Sequence, residues 1–253
     1  PKARLAQIRR LTTKALAGDP TGDPSFDALA IVAAECGINA VHTHDIIAGF
    51  ALDSIGWAPK NELEMLGYCY HVAGAVGVVM ALVMGVSADD NDTLDRACDL
   101  GIAFQLGNIA RDIAEDCAIS RCYLPQDWLT QAGIAPADIM APHHRPALMR
   151  MAARLAQIAE TYENSARIGA AKLPFRSRWA VLSAAGIYGA ISRKVVRAGS
   201  TAWDQRISTG KLAKLGHVLR ALGQSALPPT IRDATVAHPR AELARATLAA
   251  FTA

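Results

Sequence analysis

Three oxygen-bearing side chains recur at intervals of four in NIARDIAED, residues 108 to 116: Asn108, Asp112 and Asp116. On a helix, positions four apart differ by about 40° around the axis, so the three share one shallow stripe, with Gln105 one turn earlier near its edge. Carboxylate and amide oxygens are the hard donors that Mg²⁺ takes, with Mn²⁺ as an alternative of the same kind, and Mg²⁺ shares its remaining positions with water and substrate phosphates. A diphosphate is the natural ligand for such a stripe, with Arg111 and Arg121 close enough in sequence to hold the oxygens that the metal does not. Carboxylates four apart are also routine on solvated helix faces. The apolar surroundings, GIAFQLGNIA, set this stripe apart, because buried polar groups need partners. Glu115 falls off the stripe and reads as a surface charge.

The elements that must position this stripe are helical throughout. Ala, Leu, Arg and Glu recur at helical spacing between Gly and Pro punctuation, and alternation of period two is hard to find. The pattern predicts helices over residues 3–17, 25–36, 41–55, 61–84, 90–117, 145–172, 176–198, 209–222 and 239–252, with turns at Asp19-Pro20 with Asp23-Pro24, at Ala58-Pro59 and at Leu227-Pro228-Pro229. There is no internal repeat and no linker long enough to separate two domains, so one all-α domain spanning 1–253 is expected. The uncharged run Val72–Val86 is shorter than the ~20 residues a membrane span needs; it reads as a buried central helix. Gly74 and Gly77 inside it cost about 1 kcal/mol each relative to Ala. Close helix packing or the wall of an apolar tunnel would account for them.

With 253 residues, 51% of them hydrophobic, the chain can bury a substantial core. A formal charge of +3 with dispersed basic residues gives no case for nucleic acid as a partner. Five cysteines without a C-x-x-C pair suit a reducing compartment, so a cytoplasmic location is expected. The opening PKARLAQIRRLTTKAL is basic and amphipathic without an apolar signal region, and no initiator Met precedes it.

YCYHVAGAVG (68–77), AFQLGNIARDIAED (103–116), RCYLPQDWL (121–129) and AWDQR (202–206) occur in an order and spacing that resembles the squalene/phytoene synthase family over nearly the whole chain. The resemblance implies the all-α isoprenoid (terpenoid) synthase fold, with one helical domain around a central cavity. It also implies a Mg²⁺-dependent head-to-head condensation of two prenyl diphosphates. For phytoene-forming members the substrate is geranylgeranyl diphosphate and the route passes through a cyclopropyl (prephytoene) diphosphate. Farnesyl diphosphate, giving squalene or dehydrosqualene, and a non-catalytic family role are the alternatives.

By the same resemblance, Asn108, Asp112 and Asp116 match the family's second aspartate-rich motif and its metal ligands. Gln105 and Arg111 match substrate contacts, and Tyr68 matches a tyrosine beside the reacting carbons. Tyr188 and, after a one-residue adjustment, Arg206 resemble diphosphate contacts. Arg121 and Tyr123 would lie on a flap, and Val72, Ala73 and Gly77 would line the prenyl tunnel. The family's first aspartate-rich motif has no match here, so the helices that carry it are expected to be absent from this chain. Asp19, Asp23 and Asp27 read as turn and cap residues instead. His42 with His44 would splay apart on a helix, and His143-His144 reads as loop. Arg193, Lys194 and Arg197 read as a solvated face, though lipid substrates and products make peripheral contact with the inner face of a membrane an expectation too.

Overall fold

The computed structural model describes residues 2–227 and 238–247. Every regular element among them is helical. The helices are α1 (Lys2–Leu16), α2 (Pro24–Cys36), α3 (Ala40–Ser54), α4 (Glu62–Cys69), α5 (Ala75–Val83), α6 (Asn91–Ala118), α7 (Gln126–Gln131), α8 (Arg145–Ala170), α9 (Phe175–Ala198), α10 (Lys211–Ala226) and α11 (Arg240–Ala246).

Helix starts follow the side chains that satisfy the first free amides. Asp23 caps α2, Asn61 caps α4 and Asp90 caps α6. Asn39 caps α3 in a reciprocal box closed by His42, which explains that histidine without a metal. Asp27 ties back to Thr21, so the early aspartates hold the α1–α2 turn as expected.

Helix α6 runs through the middle of the fold, flanked by α5, α8 and α9. Ile102, Leu106 and Ala110 on α6 are fully enclosed, as are Leu148 and Leu155 on α8 and Leu52, Met65 and Leu66 on α3 and α4. All five cysteines are free thiols.

Four expectations are corrected. The helix foreseen over 61–84 is interrupted by a π-helical turn, Tyr70–Gly74, in which the amide of Ala75 reaches back five residues to the Tyr70 carbonyl. The Val72–Val86 run is not wholly buried, because Val76 and Met80 are 40% and 47% exposed. Short α7 was not foreseen, and α10 runs later than the predicted 209–222. His143 and His144 end a 3₁₀ turn rather than lying in open loop. The predicted Pro228-Pro229 turn and the end of the 239–252 helix lie outside the described residues.

Gly77 borders α6 so closely that a Cβ there would lie 2.3 Å from the Ala97 carbonyl oxygen, and one on Gly101 would lie 2.2 Å from that of Ala73. Their smallness serves backbone contact between helices, not only the cavity they border. The run Glu62–Val83, 22 residues, is long and apolar enough to cross a membrane by length and composition. With 61% of its most apolar stretch buried, it has the packing of a core helix.

Candidate active site

A cavity of about 570 Å³ follows α6 from Thr93 to Asn108, about 22 Å at 1.5 Å per residue. Its long walls are apolar or small: Val72, Ala73 and Gly77 on one side, Ala166, Gly169 and Ala184 on the other. The three expected tunnel residues are therefore together. At one end stand Thr93, Arg96 and Leu173; at the other, Gln105, Asn108 and Tyr188. The Tyr188 ring stacks on Phe104 with centroids 4.4 Å apart. The Asn108 amide nitrogen donates to Gln105 Oε1 at 3.3 Å, a bond that does not use the Asn108 carbonyl oxygen.

The stripe continues past this polar end. Arg111 clamps Asp112 in two-pronged fashion, with its Nε donating at 2.6 Å and its Nη2 to the other oxygen. Arg206, well exposed, brings its Nε to 3.6 Å from Asp112 and 3.8 Å from Glu115. Glu115 is the surface charge expected, and Arg206 spans between it and Asp112. Burial, followed by the neighbouring Asp112 carboxylate, pushes the Asp116 carboxyl up to about 6, against a smaller opposing pull from Arg121.

Asp116 shares a narrow crevice with Arg121 and Tyr123. From there a chain of polar contacts leads to Tyr68. Arg121 Nη1 donates to the Tyr123 hydroxyl at 3.3 Å, the Tyr123 hydroxyl donates to Asp53 Oδ1 at 2.9 Å, and the Tyr68 hydroxyl donates to the same oxygen at 3.0 Å. The Tyr68 and Tyr123 rings stack at 4.7 Å, and Trp57 stacks on the far face of Tyr68 at 5.9 Å. Burial above all raises the Tyr68 phenol far above its ordinary range, so it stays protonated. Tyr68 joins the stripe through Tyr123 and Arg121, outside the wall of the main cavity.

Asp53 was not foreseen. Its signal lay in the spacing Asp45-x-x-x-Gly49-x-x-x-Asp53, a stripe on α3 facing α4 and the π turn. Asp45 accepts from the Tyr70 hydroxyl through its carboxylate and faces His71 Nδ1 through its carbonyl. A Cβ on Gly49 would meet Val72 Cγ1 at 2.8 Å.

Among the described residues no three His, Cys, Asp or Glu side chains gather as a metal cage. The hard oxygens of Asn108, Asp112 and Asp116 suit a cation that also binds a ligand's oxygens, as Mg²⁺ does.

The chain resembles known proteins along most of its length. Residues 1–213 match the family model for squalene/phytoene synthase. A 15-cis-phytoene synthase from Pantoea ananas is 48% identical over 240 residues, covering 94% of this chain and 75% of that protein. A phytoene synthase from Pseudescherichia vulneris is 46% identical over 229 residues, covering 90% and 74%. Among solved structures, a dehydrosqualene synthase in complex with ligand superposes with a TM-score of 0.79 at 25% identity, covering 88% of this chain and 78% of that one. The squalene synthase HpnC from Alicyclobacillus acidocaldarius superposes with a TM-score of 0.72 at 24% identity, covering 78% and 74% and sharing the helical fold. The cavity along α6, the oxygen stripe at its end and these similarities lead to one assignment: the chain belongs to the squalene/phytoene synthase family.

Proposed function

We propose that this chain, working as one helical domain, is a prenyltransferase that condenses two molecules of geranylgeranyl diphosphate head to head. Prephytoene diphosphate is the intermediate, phytoene the product, and the step is the first committed one of carotenoid synthesis. The observation that carries the reading is the apolar trough along α6 ending at Gln105, Asn108 and Tyr188, beside Arg111 and Asp112. A prenyl tail extended along α6 would bring its diphosphate to that end. Relatives at 46–48% identity bear the name phytoene synthase, which favours the twenty-carbon substrate over the farnesyl diphosphate alternative.

In this reading Asn108, Asp112 and Asp116 hold Mg²⁺, or Mn²⁺ in its place. When bound, the cation supplies positive charge that favours departure of diphosphate. Arg111, Arg206 and Tyr188 are the chain's own donors for phosphate oxygens, and the bidentate geometry in which Arg111 grips Asp112 is equally suited to a phosphate. Gln105 orients Asn108 through its amide. Val72, Ala73 and Gly77 keep water from the allylic carbons, where it would quench a carbocation. Tyr68 and Tyr123 offer an aromatic stack whose negative potential favours positive charge nearby, with Arg121 fixing the second of them.

Five free cysteines support a cytoplasmic protein, and the lipid nature of substrate and product supports its meeting the inner face of a membrane peripherally. The test is incubation of the purified protein with geranylgeranyl diphosphate and Mg²⁺, followed by analysis of the organic extract. A forty-carbon hydrocarbon is expected. A thirty-carbon product from farnesyl diphosphate alone would replace this reading with the squalene or dehydrosqualene one.

A further inference from the structure

Asp53 Oδ1 takes hydrogen bonds from two phenols at once, Tyr68 at 3.0 Å and Tyr123 at 2.9 Å. An ionised carboxylate only accepts, so both hydroxyl protons must point at it, and each bond carries the added strength of a charged acceptor. The two rings are thereby locked nearly parallel, 4.7 Å apart with a 19° interplanar angle. Trp57 closes the stack from the other side of Tyr68.

Asp53 itself is held in register by backbone contact. It lies one turn beyond Gly49, where α3 presses on the π turn: a Cβ there would be 3.2 Å from the carbonyl carbon of His71. One turn before Gly49, Asp45 takes the Tyr70 hydroxyl. Two carboxylates on a single face of α3 therefore hold the tyrosines on either side of Cys69. Only Asp53 leads onward through Tyr123 and Arg121 to the crevice that Arg121 shares with Asp116.

We propose that Asp53 is a positioning residue for the reaction, anchoring Tyr68 and Tyr123 by their hydroxyls so that their stacked rings are held fixed beside the oxygen stripe. The inference rests on the prenyltransferase reading for its catalytic consequence and on the geometry alone for the anchoring. Both phenols are committed as donors to Asp53. Their contribution is therefore the negative potential of the stacked aromatic cluster as a whole, reinforced by the Asp53 charge behind the hydroxyls, rather than transfer of the phenolic proton. Cation stabilisation of this kind depends on ring placement, so loosening the anchor should lower turnover while leaving substrate capture by the arginines and the trough intact.

The experiment uses the whole chain labelled with 3-fluorotyrosine, and Asp53→Asn, which keeps the side-chain shape, with far-UV circular dichroism confirming that the variant is folded. Tyr68→Phe and Tyr123→Phe assign the two ¹⁹F resonances. The expected result is that Asp53→Asn moves both assigned resonances and leaves those of Tyr162 and Tyr188 in place. With geranylgeranyl diphosphate, kcat is expected to fall at least tenfold with KM within threefold. Two unmoved resonances overturn the anchoring. Moved resonances with undiminished kcat overturn the role in the reaction. An unsubstituted protein without turnover on either prenyl diphosphate would refute the prenyltransferase reading and the role in the reaction with it, and the resonances would still decide whether Asp53 anchors both rings.

Discussion

Arg111 and Asp112, adjacent in sequence, hold each other through a two-pronged ion pair at the polar end of the α6 cavity, with both side chains largely screened from solvent. The pair keeps a carboxylate and a guanidinium charged and oriented where neither has much water. In the absence of ligand each satisfies the other. In the proposed reading Arg111 would turn to phosphate and Asp112 to the cation, each leaving the other.

Asp112→Asn should therefore abolish Mg²⁺-dependent turnover, with a loss of at least about a hundredfold, the scale of removing one key electrostatic group. The helical fold should persist, as judged by far-UV circular dichroism. Product formation at the original rate would remove Asp112 from the metal set.

Tyr68→Phe should slow product formation more than it weakens substrate binding, since the hydroxyl is spent on Asp53 while the trough is untouched. The lost hydrogen bond should lower stability by about 1 kcal/mol. Steady-state kinetics beside thermal unfolding would separate the two effects; equal losses in kcat and in affinity would contradict a role in the chemistry.

Gly101→Ala should destabilise the fold by roughly 1–3 kcal/mol, the usual cost of overpacking. Its new methyl would sit 2.2 Å from the Ala73 carbonyl oxygen, a backbone atom that cannot swing aside. Chemical denaturation provides the measurement. The same substitution at Gly216, which has no neighbour within 4 Å of the added atom, is the control.

Buried Asp99, which accepts from Ser165, has its carboxyl pushed up to about 7, chiefly by burial. Its folded-state value lies above the ordinary 3.8, so its contribution to stability is fully present below about 4 and is lost as pH rises toward 7. Asp99→Asn keeps an acceptor for Ser165 and removes the titration. Urea unfolding at pH 4, 5.5 and 7 should show the variant gaining on the parent across that range, and a difference independent of pH would be the contrary result.

Much of this was legible in the residues. Helical spacing with Asp-Pro and Gly punctuation placed the long helices, and four-residue periodicity placed Gln105, Asn108, Asp112 and Asp116 on one stripe. The pairing of Arg111 with its own neighbour, by contrast, depends on side-chain torsions that spacing does not encode. Asp53 escaped notice because two aspartates eight apart in AVHTHDIIAGFALDS have no evident meaning until Gly49 between them brings α3 against the π turn. The π turn was equally hidden: its one extra residue leaves the apolar pattern of YHVAG compatible with an ordinary helix, and only the close approach of Gly74 to Cys98 and Ile102 on α6 marks it out.

That turn also sets the relative phase of the two halves of the element that contains it. Upstream, Tyr68 faces Asp53; downstream, Gly77 faces Ala97 and Met80 borders the cavity. Removing one residue from 70–74 would restore regular winding and rotate one half against the other by about 100°. The tyrosine would then leave its carboxylate, or the trough would lose its wall. Length at this point is thus as strictly constrained as packing: an insertion or deletion in 70–74 would separate Tyr68 and its carboxylate from the apolar wall of the trough.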